Sequence, residues 1–328
     1  MKVLVTGANG LLGSNIIRQL EQRNIKVRAL VRENARLLSL KGTSPEYFFG
    51  NLISKEDMFK ASSGCDYIIH TAAITDPTLT RLEHYLKVNV DGTKNIIDAC
   101  IKNGIKRLVY ISTTNSIGYG DREHPGTEDK PPMKPYTESY YAISKYRAEQ
   151  EVKKAVDGSG LDALILNPSF MIGPYDSKPS SGKLLLMGYR DRLVFITPGG
   201  RNFVPARDVA VAACNALTAG RSGEKYLLTN SNLSYSEFYD IVDDVTGFKR
   251  EKVIIPPWLI RGTGMLGSLA AQTGKAVILN NNNSRILTVK NFYRADKAIK
   301  ELNFPQSDIR MAIKEALDWF RENNYIKN

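Results

Sequence analysis

The sequence predicts an α/β fold, in which a doubly wound parallel sheet is followed by a smaller, mixed α/β lobe. Three observations predict it. A β-branched run at the start of the chain breaks at once into regularly spaced glycines. Short apolar strands then alternate with helical stretches through the first half, which is typical of a parallel sheet. Beyond Pro168 this periodicity weakens and turn residues gather, which indicates a change of architecture.

The first element is the strand Val3–Val5, followed by a glycine turn with the spacing G-x-x-G-x-x-G. Apolar residues then recur at helical spacing, at Leu11, Leu12, Ile16, Ile17 and Leu20. We expect Gly7 to permit the tight turn, Gly10 to let the backbone approach a pyrophosphate, and Gly13 to let the helix pack on the strand. The helix N-terminus offers free N–H groups to an anion. This order predicts a Rossmann-type dinucleotide site; a glycine-rich turn of another α/β protein is the alternative.

The second strand, Lys26–Arg32, ends on a charge that bears on the choice of cofactor. A carboxylate at this position bonds the ribose hydroxyls of NAD, whereas an arginine accepts the 2′-phosphate of NADP. Here the residue is Arg32, with Arg36 one helical turn further on. The sequence therefore favours NADP(H) over NAD(H), which stays possible. A solvent-facing role for Arg32 is the alternative.

Three further strands and a long helix complete the first half. They are predicted at Tyr47–Phe49, Tyr67–Ala73, Leu82–Lys102 (the helix) and Arg107–Ile111. A short helix between them starts at Ser54, with Asp57 three residues on in a capping-box-like arrangement. His70, in the fourth strand, is interpreted as a packed histidine and not as a base or a metal ligand. The alternation of strands and helices predicts a parallel, doubly wound sheet.

Chemistry is predicted where the fifth strand ends. The hydroxyl cluster Ser112–Ser116 lies at the carboxyl end of a strand, where open α/β sheets place their ligands. A helix predicted over Ser139–Val156 carries Tyr141 and Lys145, one turn apart on the same face. A lysine ammonium beside a phenol lowers the phenol pKa from about 10. Tyr141 is therefore predicted to act as an acid toward a carbonyl oxygen that receives hydride. A chance Y-x-x-x-K pair on a helix surface is the alternative.

These features together resemble the extended short-chain dehydrogenase/reductases, the epimerase/dehydratase-like group that includes dihydroflavonol reductases and hydroxysteroid dehydrogenases. The matching segments follow the family's order: Thr6–Gly13, His70–Ala73, Asn89–Thr93, Ser112–Thr113, Tyr141–Lys145 and Asn167–Pro174. They cover the first half of the chain and slightly more. The resemblance implies a cofactor-binding Rossmann domain at 1–168, with 203–230 returning to it. It implies a substrate-binding lobe at 169–202 and 231–328.

The resemblance also implies the roles of individual residues. Catalytic roles fall on Thr113, Tyr141 and Lys145, with Ser112 beside Thr113 as the other candidate for the catalytic hydroxyl. Cofactor contacts are implied for Gly7, Asn9, Gly10, Leu11, Leu12, Gly13, Arg32, Arg36, Asn51, Leu52, Thr71, Ala72, Ala73, Asn89, Ser112, Tyr141, Lys145, Pro168 and Ser169. Three positions depart from the family pattern. Asn51 stands in place of an aspartate, Thr113 in place of a serine, and Asn167 in place of the basic residue common before Pro168.

The second half is predicted as loop-rich. A helix is expected around Leu184–Tyr189, and another is expected to open in the segment Phe203–Ala210. A strand follows at Lys225–Leu228. After it, Ser234 and Glu237 form a predicted capping box that starts a helix to about Thr246. Further predictions are an amphipathic helix over Asp308–Asn323, a flexible loop at Asn280–Asn283, and an apolar segment from Pro256 to Leu279. In that segment we expect most of Trp258, Met265, Leu266 and Leu269 to pack in the core, with the lining of an apolar substrate pocket as the alternative.

Composition excludes several function classes. The net charge is +11, from 45 basic and 34 acidic residues, but the basic residues form only short groups, so nucleic-acid binding is not expected. The uncharged stretch between Arg261 and Lys275 is too short for the roughly 20 residues of a membrane span. Cys65, Cys100 and Cys214 form no metal or disulfide pattern, which predicts a reducing cytoplasm. No metal site is expected.

The leading hypothesis is an NADP(H)-dependent reductase or dehydrogenase that interconverts a carbonyl and a secondary alcohol on a small organic molecule. A nucleotide-sugar epimerase or dehydratase that retains NAD is the first alternative, kept open by Arg201 and Arg207. A non-enzymatic, NADP-binding regulatory protein is the second. The resemblance further implies a homodimer that pairs the helix from Leu82 with the helix from Ser139.

Overall fold

The computed structural model describes residues 1–187, 189, 191–272, 277 and 279–326. The strands, in chain order from β1 to β13, are Lys2–Thr6, Lys26–Val31, Glu46–Phe49, Tyr67–His70, Arg107–Ile111, Ala163–Pro168, Phe170–Ile172, Leu193–Ile196, Gly200–Pro205, Lys225–Leu228, Ser231–Ser234, Glu251–Ile254 and Lys290–Asn291. The helices, from α1 to α12, are Leu11–Gln22, Lys55–Ser62, Leu82–Leu86, Gly92–Asn103, Tyr140–Ser159, Lys183–Leu186, Ala206–Asn215, Tyr235–Thr246, Pro257–Gln272, Asn281–Ile286, Asp296–Leu302 and Ile309–Glu322.

The main sheet has seven strands in the order β10-β6-β5-β4-β1-β2-β3. Every pairing in it is parallel. Val3 of β1 lies opposite Val27 of β2 on one side and Tyr67 of β4 on the other. The connections therefore leave β1 in opposite directions, and the carboxyl ends of β1 and β4 form a topological switch point, where doubly wound sheets bind their ligands. The predicted fold class is confirmed.

Both faces of this sheet are covered by helices. Side chains alternate along β1, so that Val3 and Val5 join the core under α1 and α7, while Leu4 joins the core under α2, α4 and α5. The strands are buried on both faces, which is why they read as short, continuous apolar runs. This arrangement holds the strand ends in fixed positions at one edge of the sheet.

Residues after Pro168 build a second group of elements. A four-stranded sheet runs β11-β9-β13, with β7 also paired to β9, and a separate pair joins β8 to β12. α8 and α12 pack on the small sheet around Phe203 and Phe238, whose rings stack with centroids 4.3 Å apart. The strand β10 returns to the main sheet beside β6. The division into two domains and the homodimer stay predictions.

Two predictions about the second half are wrong. The segment Phe203–Pro205 does not begin a helix but completes β9, with Phe203 opposite Phe170 of β7. Helix α7 begins only at Ala206, because Pro205 keeps an extended conformation as its N-cap. The segment Asn280–Asn283 is not a loop but the start of α10, because the Asn280 side chain accepts a hydrogen bond from the Asn283 N–H at 2.8 Å. Asparagine is among the strongest N-caps.

Two elements of the first half differ from the prediction in extent. The strand predicted to reach Ala73 ends at His70, and the helix predicted over Leu82–Lys102 is interrupted by a π-helical turn at Lys87–Asp91. The helix expected around Leu184–Tyr189 is confined to Lys183–Leu186, and position 188 lies outside the described residues. The capping box of Ser234 and Glu237 is present in full.

Helix α9 presents its large apolar residues to solvent, so the prediction that most of them lie in the core is wrong. Their side chains are between 60% and 72% exposed at Trp258, Met265, Leu266 and Leu269. The buried side of α9 instead carries Ile260 and small residues. A Cβ at Gly264 would lie 2.4 Å from Ser284 Oγ, and one at Gly267 would lie 2.0 Å from the carbonyl oxygen of Leu279. Helix α10 therefore packs closely on the glycine face of α9, and the larger residues of α9 lie on the opposite, exposed side.

No helix within the described residues is long and apolar enough to cross a membrane, and Lys275, at one end of the uncharged stretch, lies outside them. Cys65, Cys100 and Cys214 are buried free thiols. Burial raises the pKa of each of these thiols. They are therefore poor nucleophiles at neutral pH.

Candidate active site

A cleft of about 1940 Å³ opens at the carboxyl ends of the main-sheet strands. Its walls come from the glycine turn, the ends of β4, β5 and β6, the start of α5, and segments of the second group of elements. The predicted site residues that line it are Gly7, Asn9, Gly10, Leu11, Leu12, Gly13, Arg32, Asn51, Leu52, Thr71, Ala72, Ala73, Ser112, Thr113, Tyr141, Lys145, Pro168 and Ser169. Arg36 and Asn89 are not among the described residues of the lining.

The glycine turn has the geometry that a dinucleotide requires. Gly7 has a φ of +65°, and a Cβ there would lie 2.6 Å from Thr71 Oγ1. A Cβ at Gly13 would lie 2.3 Å from the carbonyl oxygen of Gly7, so only glycine lets α1 sit this close to the turn. Gly10 is the N-cap of α1, and no described side chain caps this helix. The open helix N-terminus faces the cleft and fits a pyrophosphate.

The residues after β2 divide between the cleft and the surface. Arg32 is exposed and lines the cleft. Arg36 is also exposed, and its carbonyl oxygen accepts a hydrogen bond from Asn9 Nδ2 at 3.1 Å. The carbonyl oxygen of Asn9 in turn accepts a hydrogen bond from Ser39 Oγ at 2.9 Å. This loop therefore ties the glycine turn to the end of β2, and a cofactor contact by the Arg36 side chain stays a prediction.

At the end of β3, the site is shaped by Asn51 and Leu52. The Asn51 side-chain oxygen accepts a hydrogen bond from the Ile53 N–H at 3.2 Å. Ser54 caps α2 as predicted, but Asp57 does not complete the box, because its carboxylate accepts from the Asn51 N–H at 2.7 Å. This bond holds the backbone at Asn51, the residue that stands where the family pattern has an aspartate.

Asn89 holds the cleft wall from behind. Its side-chain oxygen accepts from the Ile74 N–H at 2.8 Å, and its Nδ2 donates to the Ile74 carbonyl and to Ser144 Oγ. Asn89 is 1% exposed. Its amide is thus engaged with protein groups that join the segment after β4 to α5, and its predicted contact with a cofactor stays a prediction.

Thr113, Tyr141 and Lys145 come together on the cleft wall. Thr113 follows β5, and its Oγ1 accepts from the Asn115 N–H at 3.2 Å. Tyr141 lies in the first turn of α5, which Ser139 caps. Lys145 lies one turn further on and is buried, with Nζ donating to the carbonyl oxygen of Ile111 at 2.7 Å. The helix and the strand end thus converge on one point of the cleft.

The pKa values at this point differ from the prediction. The sequence predicts a lowered pKa for Tyr141 beside Lys145, but burial raises the pKa of Tyr141 to about 12, against a hydrogen bond with Thr113 that lowers it. Burial lowers the pKa of Lys145 to about 7, while the Glu149 carboxylate raises it. Desolvation disfavours both charged forms and is the largest contribution at each of the two residues. The predicted direction for Tyr141 is therefore wrong in this structure.

The geometry distinguishes the two candidate hydroxyls at the end of β5. Ser112 Oγ donates to the Glu149 carboxylate and lies in a buried network. Thr113 interacts with the Tyr141 hydroxyl. Thr113 is therefore better placed than Ser112 to bond a substrate oxygen.

The far side of the cleft contains residues that the sequence analysis did not assign to it. Asn291 and Tyr293 line it, and the Tyr293 hydroxyl donates to the Thr114 carbonyl oxygen at 3.2 Å. Arg201 also lines it, whereas Arg207 lies 3.7 Å from Glu315 in an exposed ion pair. Asn291 and Tyr293 lie beyond the family-like motifs, and the local sequence around them carries no site signal.

The apolar residues of α9 are likewise not among the described lining residues: Trp258, Met265, Leu266 and Leu269.

His70 is packed, as predicted, with Nδ1 2.6 Å from Thr6 Oγ1. Burial, with a smaller contribution from Lys145, lowers its pKa to about 3, so it is neutral. Within the described residues, no group of three or more His, Cys, Asp or Glu side chains could hold a metal ion.

Comparison with known proteins identifies the family and the fold. Residues 3–229 match the model of the NAD-dependent epimerase/dehydratase family. A putative dihydroflavonol 4-reductase of Synechocystis sp. is 32% identical over 98% of this chain and 95% of the relative. Sterol demethylase protein B of Methylococcus capsulatus is 30% identical over 99% of this chain and 100% of the relative. The crystal structure of gox2253 superposes with a TM-score of 0.85 at 30% identity, covering 99% of each chain.

Proposed function

The chain belongs to the NAD-dependent epimerase/dehydratase family of extended short-chain dehydrogenase/reductases, and we propose that it is an NADP(H)-dependent reductase. That it is an NAD(P)-dependent oxidoreductase follows from the family and from the relatives. The proposed substrate is the carbonyl, or the corresponding secondary alcohol, of a small organic molecule. The observation that carries the proposal is the convergence of the Thr113 and Tyr141 hydroxyls at the cleft, with Lys145 one helical turn away.

Tyr141 is suited to donate a proton. With a pKa of about 12, its hydroxyl is protonated at neutral pH, and it faces the cleft. When bound, the nicotinamide supplies or accepts the hydride. Tyr141 then gives its proton to the substrate oxygen in reduction and takes it back in oxidation. Thr113 donates a hydrogen bond that orients the same oxygen.

Lys145 supplies the electrostatic support for this proton transfer. Burial lowers the pKa of its amine to about 7, so Lys145 exchanges its proton near neutral pH. In the charged form, Lys145 stabilises the phenolate that forms when Tyr141 gives up its proton, one turn away on the same helix face. The carbonyl oxygen of Ile111 holds Nζ in place. The same position suits a contact with the nicotinamide ribose.

NADP(H) is favoured over NAD(H) by the residue that follows β2. Arg32 lines the cleft beside the glycine turn, and a guanidinium is well suited to bind a phosphate. The neighbouring Glu33 is not among the described lining residues. No carboxylate within the described residues is thus placed at this point of the lining to repel a 2′-phosphate.

The relatives support a reductase over the alternative of a nucleotide-sugar epimerase or dehydratase. The relative from Synechocystis, which matches almost the whole chain, carries the name putative dihydroflavonol 4-reductase. Arg201 in the cleft is the observation that favours the alternative, because an arginine can bind a nucleotide diphosphate. Arg207, the second arginine that this alternative invokes, is engaged with Glu315 outside the lining. The reductase is therefore the better supported function.

The test is a screen of aldehydes and ketones with NADPH, followed by the Tyr141→Phe variant. We expect NADPH oxidation with at least one carbonyl class, and a loss of at least about 100-fold in kcat for Tyr141→Phe with unchanged NADPH affinity. Tyr146→Phe is the matched control, because Tyr146 is an exposed residue of the same helix, and it should keep wild-type activity. Full activity of Tyr141→Phe, or turnover of sugar nucleotides without net NADPH consumption, would overturn the proposal.

A further inference from the structure

A fully buried carboxylate lies directly behind the proposed catalytic residues. Glu149 is on α5, one turn beyond Lys145, and is 0% exposed. Removing a carboxylate from water costs several kcal/mol unless partners replace the water. A buried ion of this kind is weak evidence for stability, since an apolar replacement is often neutral or stabilising. Its surroundings therefore indicate what it does.

Both oxygens of Glu149 are engaged. Oε1 accepts hydrogen bonds from Ser112 Oγ and from Asn167 Nδ2 at 2.7 Å, and Ser116 Oγ lies 2.5 Å from it. Oε2 lies 2.5 Å from Lys225 Nζ. The sheet order β5-β6-β10 explains this grouping, because Ser112 follows β5 while Asn167 and Lys225 belong to the next two strands. Glu149 thus joins α5 to three neighbouring positions across the sheet.

The same network holds the backbone of Thr113. The Thr113 carbonyl oxygen accepts from Ser116 Oγ at 2.7 Å and from Asn167 Nδ2 at 2.9 Å. Asn167 Nδ2 has two hydrogens and also donates to Glu149 Oε1, whereas the single hydroxyl hydrogen of Ser116 can serve either the Thr113 carbonyl or the carboxylate, but not both at once. The carboxylate therefore fixes both ends of the short turn that presents the Thr113 hydroxyl to the cleft. Loss of the carboxylate would deprive Ser112 Oγ and one hydrogen of Asn167 Nδ2 of their acceptor in a buried space. Glu149→Gln keeps one oxygen but replaces the charge and sets amide hydrogens against Lys225 Nζ.

Asn167 is one of the three positions that depart from the family pattern. The position before Pro168 commonly carries a basic residue, but Asn167 is neutral. In this chain, the positive charge that balances Glu149 comes from Lys225, whose side chain is only 18% exposed. The ion pair is thus assembled from α5 and β10, on the side of the network away from the cleft.

We propose that Glu149, balanced by Lys225, is a positioning residue that holds the turn carrying Thr113 in its reactive geometry. This inference rests on the proposed function. Glu149 does not touch the cleft, since it is fully buried and is not among the described lining residues. It acts through Ser112, Ser116 and Asn167. A displacement of about 1 Å in such a turn is enough to lower a rate by up to about 100-fold.

The charge of Glu149 also reaches Lys145. The described titratable groups that interact with the Lys145 amine are Glu149 on α5, Tyr110 on β5, whose ring centroid is 4.3 Å from Nζ, and His70 on β4, while Tyr141 lies one helical turn before it. Of these, Glu149 raises the pKa of Lys145. Glu149→Gln should therefore move the Lys145 limb of the kcat–pH profile to lower pH. Lys225→Met should move that limb to higher pH, because it unbalances the carboxylate.

The experiment compares Glu149→Gln, Lys225→Met and Lys225→Arg with Glu151→Gln, a control on the same helix whose carboxylate pairs with Lys154 near the surface. Two readouts are made: amide hydrogen exchange of residues 112–117, and kcat, KM and NADPH affinity across pH. We expect faster exchange confined to 112–117 and at least about a tenfold loss of kcat in Glu149→Gln, with NADPH affinity within about twofold. Lys225→Arg should restore wild-type values, and Glu151→Gln should match wild type.

Exchange that is unchanged in 112–117, or that rises equally throughout the chain, would overturn the inference, as would a pH limb that neither variant moves. Failure of the proposed function is distinguishable from this. If the wild-type protein reduces no carbonyl, the proposed function fails, while hydrogen exchange in residues 112–117 still decides whether Glu149 holds the turn. If Glu149→Gln does not fold, Lys225→Met tests the balance of the ion pair: exchange in residues 112–117 should rise and the pH limb should move to higher pH, and no change in either would overturn the inference.

Discussion

Acid should destabilise this protein through one buried histidine. His70 lies at the end of β4 and is 1% exposed, with its ring nitrogens 2.6 Å from Thr6 Oγ1 and 3.2 Å from Thr93 Oγ1. Burial lowers its pKa from 6.5 to about 3, and repulsion from Lys145 acts in the same direction. Between these two values the unfolded chain binds a proton that the folded chain does not. The free energy of unfolding therefore falls as the pH falls.

The size of this effect follows from the two pKa values. Each pH unit below 6.5 costs about 1.4 kcal/mol, so the loss from His70 is about 2 kcal/mol at about pH 5, and it stops growing near pH 3. The assay is denaturant unfolding of the wild type and of His70→Asn at about pH 7 and about pH 5. His70→Asn should be less stable at neutral pH, because it loses a buried contact, but it should lose about 2 kcal/mol less between the two pH values.

The control is His84→Asn, because His84 is exposed. This variant should show the same loss between the two pH values as the wild type. Equal losses in the wild type and in His70→Asn would refute the reasoning, since they would show that His70 takes up its proton as readily in the folded chain as in the unfolded chain.

Two further predictions concern packing. Gly13→Ala should weaken NADPH binding at least about tenfold, because its Cβ would lie 2.3 Å from the Gly7 carbonyl oxygen. The measurement is a fluorescence titration with NADPH. Its control is Gly158→Ala, which should bind like wild type because there is open space around its Cβ. Leu166 lies in the buried core, so Leu166→Ala should lower the free energy of unfolding by about 2–5 kcal/mol. Leu266 is 68% exposed on α9, so Leu266→Ala should change the free energy of unfolding by less than about 0.5 kcal/mol. Equal losses for the two variants in denaturant unfolding would contradict the core assignment.

The sheet and the glycine turn could be predicted from the sequence because their signals are local. The run Val3–Val5 and the strand Arg107–Ile111 are short apolar segments between helices, and that pattern alone indicates buried parallel strands. The Tyr141–Lys145 spacing places both side chains on one face of α5 in the same way. Such features require no knowledge of distant parts of the chain.

The errors and omissions arise where distant segments decide the structure. The sequence predicts Phe203 at the start of a helix, but pairing of β9 with β7 and β11 makes it part of a strand. The pKa of Tyr141 depends on burial by the whole cleft wall and not on Lys145 alone. Glu149 and Lys225 are 76 positions apart, so nothing local indicates their ion pair. Only the order β5-β6-β10 brings them together.

We propose above all that this cleft binds NADP(H) through Arg32, which lines it together with the Tyr141 proton donor. The most direct measurement is a fluorescence titration of cofactor-free protein with NADPH and NADH, for the wild type and for Arg32→Asp. We expect the wild type to bind NADPH more tightly than NADH, and this preference to collapse or reverse in Arg32→Asp, because a carboxylate repels the 2′-phosphate. Tighter binding of NADH by the wild type, or an unchanged preference in the variant, would contradict the proposal.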